Sequence, residues 1–588
     1  MCGFVATLGG GSTGTLNQIK HRGPNSNGHF EDSDIYLGFN RLATVNTVIG
    51  NQPMHIGEYV IVFNGEIYNY KELAKEFECS SDTDTEVILN GYIQIGKEIV
   101  NKLRGMFAFI IYNKRTKEVF GARDMFGIKP LYYKYSFDKI YMASEYKAIP
   151  GIKHIDNFGL QSYLTLQYPM PPHTMVDDIK QIKPGHYFTW SGKSALKEVC
   201  YWKPTLVTTP KPVVTSTDVR NVLFDSVEKH LDANVPVGCF LSGGVDSTII
   251  TGIANQIKPG IKTFSVGFDV PGYSELQLAE KTAEVLGTDH KSLIVTEEMF
   301  IDSLKDVVYY MDDPVADPSA VGLYYLSKMA AKDVTVALSG EGADELFGGY
   351  KIYNEGNSLK GIMNLPSFIK SPLNQLSKII PNGVRGKSFL YRGTTPLNQR
   401  YVGNAKIFSD EEVKKLFKLY SNEFNIHRVL NYLYDDSLTY IQQMQLVDLN
   451  TWLVGDILAK GDKMSMANSL EVRTPFLDKE VFNIARQLTD EQKIQNGLTK
   501  VLLRDAFKDV VPSHILNRDK LGFPTPIRVW LKSDLGAYVK DIISKSEIGL
   551  LLNLNELDNL LVEHTKGNRD NSRKIWAIFI LCLFYGGL

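Results

Sequence analysis

The chain has 588 residues, a formal net charge of −2 and 44% hydrophobic residues. This length predicts roughly two to four domains, and the ordinary composition excludes a mostly disordered chain. The near-neutral charge argues against a general electrostatic attraction to nucleic acid or to an anionic membrane.

The cysteine pattern and the chain ends indicate a cytoplasmic protein. The five cysteines are scattered and form no CxxC pair, which argues against a disulfide framework and a zinc site. The N-terminus does not have the features of a signal peptide. The apolar run 575–584 is shorter than the ~20 residues of a membrane span, so we expect a buried terminal helix. The cysteines are Cys2, Cys79, Cys200, Cys239 and Cys582.

The first ~200 residues show the short apolar or alternating runs that predict β-strands, interrupted by one helix over 85–103. A proline-rich segment, 202–212, predicts a linker. We therefore expect domains at 2–203 and 204–588. The strands are predicted at 59–63, 108–112, 119–122 and 140–143.

Strands alternate with helices after the linker, which predicts a parallel sheet covered on both faces. The segment from about 350 to the end is predicted to be mostly helical, and no catalytic role is assigned to 351–440. The predicted strands are 235–241, 261–268 and 334–339, and the predicted helices are 216–231, 247–256 and 274–286.

Cys2 is the first candidate catalytic residue. Removal of Met1 would leave Cys2 with a free α-amino group, whose ordinary pKa of ~8 allows it to accept the thiol proton. A cysteine beside a start codon also arises by chance, so this interpretation depends on the motifs that follow.

Five motifs follow in order and resemble the glutaminase domain of class II glutamine amidotransferases. The resemblance implies an α+β N-terminal nucleophile (Ntn) fold, an αββα sandwich. Two positions depart from the family pattern, namely Asn25, where an aspartate is usual, and the loose stretch 40–46. The motifs are His21-Arg22-Gly23-Pro24, Arg41-Leu42, Phe63-Asn64-Gly65-Glu66-Ile67-Tyr68-Asn69, Ser81-Asp82-Thr83-Asp84-Thr85-Glu86, and the run from Arg123-Asp124 to Gly127-Ile128-Lys129-Pro130-Leu131-Tyr132.

Each motif can perform a step in glutamine binding or hydrolysis. The Arg41 guanidinium, next to Leu42, offers a bidentate partner for the glutamine carboxylate, and Glu66 and Asp84 are anionic partners for its ammonium. The Asn64 amide and the Gly65 N–H can form an oxyanion hole. The alternatives for single motifs are a hairpin turn at Asn64-Gly65 and a surface ion pair.

A second candidate site follows an apolar strand at Leu241-Ser242-Gly243-Gly244-Val245-Asp246-Ser247. Two glycines and a helix N-terminus suit an anion, and Asp246 is a candidate Mg²⁺ ligand because it would repel a phosphate directly. The string resembles the SGGxDS loop of ATP pyrophosphatases, which implies ATP as a substrate. A Gly/Ser turn before a helix is the alternative for the glycines alone.

Three carboxylates follow the predicted strand 334–339, within Ser339-Gly340-Glu341-Gly342-Ala343-Asp344-Glu345. The carboxyl ends of parallel strands are where α/β proteins bind ligands, and clustered carboxylates favour a cation or a shared proton. We predict Asp344 as a second Mg²⁺ ligand, with Glu341 acting on ammonia or an acyl-adenylate. A solvated acidic turn is the alternative.

Together with these loops, three further stretches resemble the glutamine-hydrolysing asparagine synthetase family nearly end to end. The resemblance implies an α/β ATP-pyrophosphatase-type domain, with Phe240 and Val266 near the adenine and Ser339-Gly340 at the nucleotide. It also implies Glu341 in the adenylate step and Lys500 as the stabilising cation. The stretches are 312–320, 462–478, and 500–507 followed by 518–523.

The expected reaction transfers ammonia from glutamine to aspartate, with ATP consumed through a β-aspartyl-AMP intermediate. The alternatives are another acceptor carboxylate, such as a sugar uronic acid or a secondary-metabolite precursor, a glutaminase or glutamine sensor, and an inactive scaffold. Mg²⁺ is the expected cofactor. We expect no nucleic-acid or membrane partner, and the sequence leaves the oligomeric state open, a homodimer included.

Overall fold

A computed structural model describes residues 2–12, 14–44, 50–81, 83–151, 153–192, 195–209, 213–380, 384–418, 420, 424–518, 522 and 524–586. Parts of four sequence predictions lie outside these residues: 210–212 of the linker, 45–46 beside Arg41, Asp82, and 519–521 with Phe523 in the last motif.

Within the described residues, the strands form two antiparallel six-stranded sheets, one parallel five-stranded sheet and one two-stranded ribbon. The strands are β1 Cys2–Leu8, β2 Ser26–Glu31, β3 Ile35–Arg41, β4 Met54–Ile56, β5 Tyr59–Ile67, β6 Gly105–Asn113, β7 Glu118–Arg123, β8 Tyr132–Ser136, β9 Lys139–Ala143, β10 Ile179–Gln181, β11 His186–Ser191, β12 Lys197–Cys200, β13 Val237–Phe240, β14 Lys262–Phe268, β15 Asp289–Val295, β16 Val336–Leu338, β17 Glu471–Arg473, β18 Ile494–Gln495 and β19 Leu498–Thr499.

The helices concentrate in the second half of the chain. They are α1 Tyr70–Glu76, α2 Asp84–Ile95, α3 Ile99–Lys102, α4 Asn157–Leu166, α5 Ser216–His230, α6 Val245–Ile257, α7 Leu276–Leu286, α8 Glu297–Met311, α9 Ser319–Ala330, α10 Ala343–Phe347, α11 Glu355–Met363, α12 Ser367–Ile379, α13 Lys387–Thr394, α14 Asp410–Leu416, α15 Ile426–Leu430, α16 Tyr440–Asn450, α17 Ala459–Met466, α18 Lys479–Ala485, α19 Asp490–Lys493, α20 Val501–Ala506, α21 Ser513–Leu516, α22 Ile527–Trp530, α23 Asp534–Lys545, α24 Leu554–Thr565 and α25 Ser572–Tyr585.

The N-terminal domain is an αββα sandwich, as expected for an Ntn fold. One sheet has the order β10-β8-β9-β1-β3-β2 and the other β12-β11-β7-β6-β5-β4. Side chains alternate along β5, so Val60 and Val62 pack between the sheets while Ile61 and Phe63 pack under α1 and α2. The predicted helix 85–103 is interrupted because Gly96 adopts a positive φ of 61°.

The second domain contains the predicted parallel sheet, with the order β15-β14-β13-β16-β17. β13 lies between β14 and β16, so the loops that follow β13 and β16 emerge side by side at the carboxyl edge. The terminal helix α25 is buried along most of its length, as its apolar run predicts. Within the described residues, no helix is both long and apolar enough to cross a membrane.

Arg22 joins the two domains through a buried charge cluster. Its Nε donates to the carbonyl oxygen of Cys2 at 3.2 Å, and its terminal nitrogens lie 2.8 Å from Glu145 and 2.8 Å from Asp462. Asp462 belongs to α17 of the second domain and also accepts from Lys129 at 3.3 Å. The first strand is therefore held directly against the second domain.

Substitution of Arg22 tests this junction. We expect Arg22→Ala to lower the free energy of unfolding by about 3–5 kcal/mol, because it leaves Glu145 and Asp462 buried without their main partner. Urea denaturation measures the change. Lys545→Ala, which removes an exposed pair with Asp541, is the control and should change stability by less than about 0.5 kcal/mol. Equally small losses of unfolding free energy in Arg22→Ala and Lys545→Ala would contradict a stabilising role of Arg22 at the domain junction.

Candidate active sites

The candidate nucleophile lies at the start of β1, against the end of β5. The Cys2 N–H donates to Asn64 Oδ1 at 3.0 Å, and the thiol lies 3.9 Å from the carbonyl oxygen of Leu42. Burial raises the pKa of the Cys2 thiol, and the nearby carboxylates of Glu471 and Asp84 act in the same direction. The thiol therefore needs a local base to become a nucleophile.

Asn64 has the free donor that an oxyanion hole requires. Its side chain is fully buried, and among the described residues its Nδ2 has no hydrogen-bond partner. A buried amide donor without a partner is costly unless a ligand satisfies it. The next residue, Gly65, lies where β5 closely approaches β6. A Cβ at this position would lie only 2.1 Å from the Met106 carbonyl oxygen, so the close approach requires glycine.

Arg41 ends β3 directly opposite Cys2 in the sheet register. It lines a cavity of about 620 Å³ together with Leu42 and Asn51, and its Nη1 donates to Asn51 Oδ1 at 3.3 Å. Asn25 accepts from the Ala43 N–H at 3.0 Å and so supports this strand end. Asn25 stands where the family usually has an aspartate, and its side-chain oxygen still provides a hydrogen-bond acceptor at this position.

The two predicted ammonium partners lie in different environments. Glu66 forms a buried ion pair with Arg473 of the second domain at 3.0 Å, and burial raises its pKa well above the ordinary value. Asp84 begins α2 and accepts from the Thr85 N–H at 2.8 Å, while burial raises its pKa to about 6. The second domain therefore contributes charge directly beside the candidate glutaminase site.

The loop between β13 and α6 has the form expected of a phosphate-binding loop. Gly243 adopts a φ of 74°, and Ser247 Oγ lies 3.1 Å from the Ser242 N–H and 3.2 Å from the Gly244 carbonyl oxygen. These bonds fold the loop over the N-terminus of α6, where N–H groups and the helix dipole favour an anion.

Lys500 joins the two predicted Mg²⁺ ligands. Its Nζ lies 2.6 Å from Asp246 and 2.6 Å from Asp344. Although burial acts in the opposite direction, these carboxylates raise the pKa of Lys500. The sequence separates the three residues widely, and the fold assembles them into one charged cluster.

Glu341 lies in the loop after β16. Its Oε2 accepts from Ser339 Oγ at 3.0 Å, and burial raises the pKa of Glu341. A Cβ at Gly340 would lie 2.9 Å from the Ser247 nitrogen, so a glycine there permits close contact with the loop before α6. The two predicted loops are thus in direct contact.

One cavity of about 580 Å³ is lined by all the residues that the sequence assigned to the nucleotide, to Mg²⁺ and to adenylation. They are Phe240, Leu241, Ser242, Gly243, Gly244, Asp246, Ser247, Val266, Ser339, Gly340, Glu341, Asp344 and Lys500.

The same cavity contains a charged group that the sequence prediction missed. Lys460 forms an ion pair with Asp317 and contacts Ser319 Oγ at 2.9 Å and Asp456 at 3.2 Å. Burial opposes ionisation, but Lys460 lowers the pKa of Asp317 to about 2. The sequence offered no local signal for Lys460, because α17 has as many charged as apolar residues and its burial follows from packing against remote segments.

The fold and the two candidate sites together define a class of enzyme that has one site in each of two domains. A candidate cysteine nucleophile on an Ntn sandwich is joined to an α/β domain, in which a loop that resembles those of ATP pyrophosphatases lines a ligand-sized cavity. The family model for asparagine synthase matches residues 218–585, and that for a glutamine amidotransferase domain matches residues 1–202. The chain belongs to the asparagine synthase family and carries the amidotransferase domain at its N-terminus.

Curated relatives span nearly the whole chain. Asparagine synthetase (glutamine-hydrolyzing) 1 of Bacillus subtilis (strain 168) is 45% identical, over 97% of this chain and 92% of its own length. A putative asparagine synthetase (glutamine-hydrolyzing) of Mycobacterium tuberculosis (strain ATCC 25618 / H37Rv) is 39% identical, over 96% and 92%. Amidase chry2 of Gibberella zeae is 26% identical, over 91% and 88%.

The pKa of Asp84 predicts a pH effect on glutamine use. Below pH 6 the raised pKa leaves this carboxyl neutral, and the role predicted for Asp84, attraction of the glutamine ammonium, would be lost. We expect KM for glutamine to rise as pH falls below about 6, by up to about tenfold per pH unit, as measured by glutamate release. In Asp84→Asn, KM should be high throughout and lack this dependence.

Asp34→Asn is the matched control, because Asp34 lies in the same domain and is half exposed. This variant should keep the pH dependence of the unsubstituted enzyme. The same acid-side rise in Asp84→Asn would show that another group binds the ammonium.

Proposed function

We propose that this chain catalyses the ATP-dependent amidation of aspartate to asparagine with ammonia from glutamine. In this proposal residues 2–203 hydrolyse glutamine and residues 204–588 activate the acceptor. The main support is one cavity in which the loop between β13 and α6 meets Glu341 and Lys500. The same chain has Cys2 next to Asn64, whose buried Nδ2 has no hydrogen-bond partner among the described residues.

The glutaminase half acts through Cys2. After removal of Met1, the Cys2 nitrogen, held by Asn64 Oδ1, is the α-amino group that accepts the thiol proton. The sulfur attacks the glutamine amide carbon, Asn64 Nδ2 and Gly65 N–H stabilise the oxyanion, and ammonia leaves. Water then hydrolyses the thioester to glutamate and regenerates the thiol.

The synthetase half forms and consumes an acyl-adenylate. An acceptor carboxylate oxygen attacks the α-phosphorus of ATP, and pyrophosphate leaves. Ammonia attacks the acyl carbon, AMP leaves, and the surplus proton passes to a base. Glu341 suits that role because burial raises its pKa, so it holds a proton more readily than an exposed carboxylate.

The carboxylates beside Lys500 fit Mg²⁺, which binds proteins through one or two carboxylates and otherwise through substrate phosphates and water. The described residues contain no cluster of three or more His, Cys, Asp or Glu side chains arranged for a metal. Asp246 and Asp344 would therefore hold the ion jointly with ATP. When bound, Mg²⁺ neutralises charge on the phosphates, and Lys500 adds a fixed positive charge at the same place.

The ion pair of Lys460 and Asp317 supports an amino-acid acceptor. The two groups are complementary to an α-carboxylate and an α-ammonium, respectively. Lys460 lies close to Glu341, since a Cβ on the adjacent Gly461 would be 3.3 Å from Glu341 Oε2. An amino acid bound there would place its side chain near the adenylation site. Aspartate has the short side-chain carboxylate that suits this distance.

Two variants test the division of labour. Cys2→Ala should abolish glutamine-dependent amide formation but retain most activity with added ammonium, because only the nucleophile is lost. Asp246→Asn should retain glutamine hydrolysis while AMP and pyrophosphate formation fall by about two orders of magnitude or more. Loss of both activities in Cys2→Ala, or no AMP with any acceptor carboxylate, would refute the proposed reaction.

A further variant tests the acceptor site. We expect Lys460→Met to raise KM for aspartate by about ten- to a hundredfold, because one charge-assisted hydrogen bond is lost, with little change in KM for glutamine. Initial rates of AMP release at varied aspartate measure this. Lys508→Met, an exposed lysine paired with Asp505, is the control. An unchanged aspartate KM, or an equal rise in KM for glutamine, would exclude Lys460 as the acceptor anchor.

A further inference from the structure

Residues 351–400 differ in charge from the rest of the chain. They contain eight lysines and arginines but only one acidic residue, Glu355. The segment therefore carries a net charge of +7 within a chain whose total is −2. Arg392 and Arg400 both pair with Glu355, so the sole acidic group is already neutralised.

The helix α12 within this segment exposes an apolar stripe to solvent, whereas an ordinary surface helix turns its apolar side chains toward the core. At helical spacing, Phe368, Leu376 and Ile379 form one stripe, and they are 76%, 50% and 78% exposed, respectively. The opposite face is turned inward: Ser377 is fully buried, and Leu373 and Asn374 are half-buried. Asn374 on that face donates to Thr394 and Thr395 at 3.0 and 2.8 Å.

Exposed apolar side chains also occur in the segment that follows α12, and we name the whole set, with the cations of the same segment, the basic apolar patch. Its cationic margin includes the exposed Lys360, Lys378 and Arg385. Exposed apolar side chains that are concentrated in one segment and bordered by polar residues mark sites of interaction with a protein or a membrane. The apolar members of the patch are Phe368, Ile369, Leu376, Ile379, Val384 and Phe389.

We propose that the basic apolar patch binds an anionic lipid bilayer surface. Aromatic and aliphatic side chains bordered by lysine and arginine are the features of helices that lie in the plane of a membrane interface. Anionic headgroups attract clusters of basic residues, whereas a second copy of the chain docked through the same patch would oppose two surfaces of like charge.

This binding is peripheral and independent of the amidation chemistry. The net charge of the chain argued against attraction to a membrane, but that figure averages a local excess of positive charge with the acidic remainder. A helix that lies on the surface does not need the length of a membrane span. The patch therefore agrees with the lack of a membrane-crossing helix among the described residues.

Sedimentation of the full-length protein with vesicles tests the proposal. We expect binding to phosphatidylglycerol–phosphatidylcholine vesicles and at least about tenfold weaker binding to pure phosphatidylcholine. Raising the salt from about 0.1 M to about 1 M should weaken binding to the anionic vesicles, because the Debye length falls from ~10 to ~3 Å. Phe368→Ser/Ile379→Ser should reduce binding by at least about tenfold.

The matched control is Phe137→Ser/Ile294→Ser, which removes an exposed phenylalanine and isoleucine outside the segment and should bind as the unsubstituted protein does. Amide synthesis without vesicles should be unchanged in both variants, which shows that they remain folded. No binding to anionic vesicles, or undiminished binding by Phe368→Ser/Ile379→Ser, would overturn the proposal. The proposal would also be overturned if the unsubstituted protein self-associates without binding vesicles and Phe368→Ser/Ile379→Ser abolishes that self-association. The patch would then join two copies of the chain.

Discussion

The buried Arg22 guanidinium is the constraint on which the arrangement of the two domains depends. A fully buried cation is tolerated only when its charge and its donors are satisfied, and Arg22 meets this requirement with the Cys2 carbonyl, Glu145 and Asp462. Those partners belong to the first strand, to the N-terminal domain and to α17. Any displacement of one domain from the other would leave charges unpaired in a low-dielectric interior. Strand β1, which begins at Cys2, and the second domain therefore form one unit.

A second buried arginine, near Cys2, is satisfied in the same way. Arg473 ends the edge strand of the parallel sheet, yet it pairs with Glu66 of the other domain and with Glu471. The carboxylates near Cys2 therefore belong to both domains, and the electrostatic field at the thiol depends on their contact. A change at the synthetase sheet edge can thus alter the ionisation of groups at the glutaminase site without a change in that site's own residues.

Charge patterning distinguishes two regions of the molecule. In the cavity, carboxylates converge on Lys500, and a second ion pair, Lys460 with Asp317, lines the same cavity. In the segment 351–400, lysines and arginines outnumber acidic residues by seven. The total charge averages over both regions. The pairing in the cavity becomes visible only when burial and neighbours are known, because a buried ion pair and an exposed cation are equivalent in a composition count.

The sequence by itself determined the two-part organisation, the strand–loop–helix setting of Ser242–Ser247 and the terminal helix, because these follow from local patterns of apolar residues, glycine and proline. It also singled out Cys2 and Asn64 through ordered motifs. Tertiary structure alone decided which distant charges meet: Lys500 with Asp246, Arg473 with Glu66, and Lys460 with Asp317. It alone showed that α12 turns its apolar face outward. Ion pairing and burial depend on contacts between remote segments, which a local pattern does not contain.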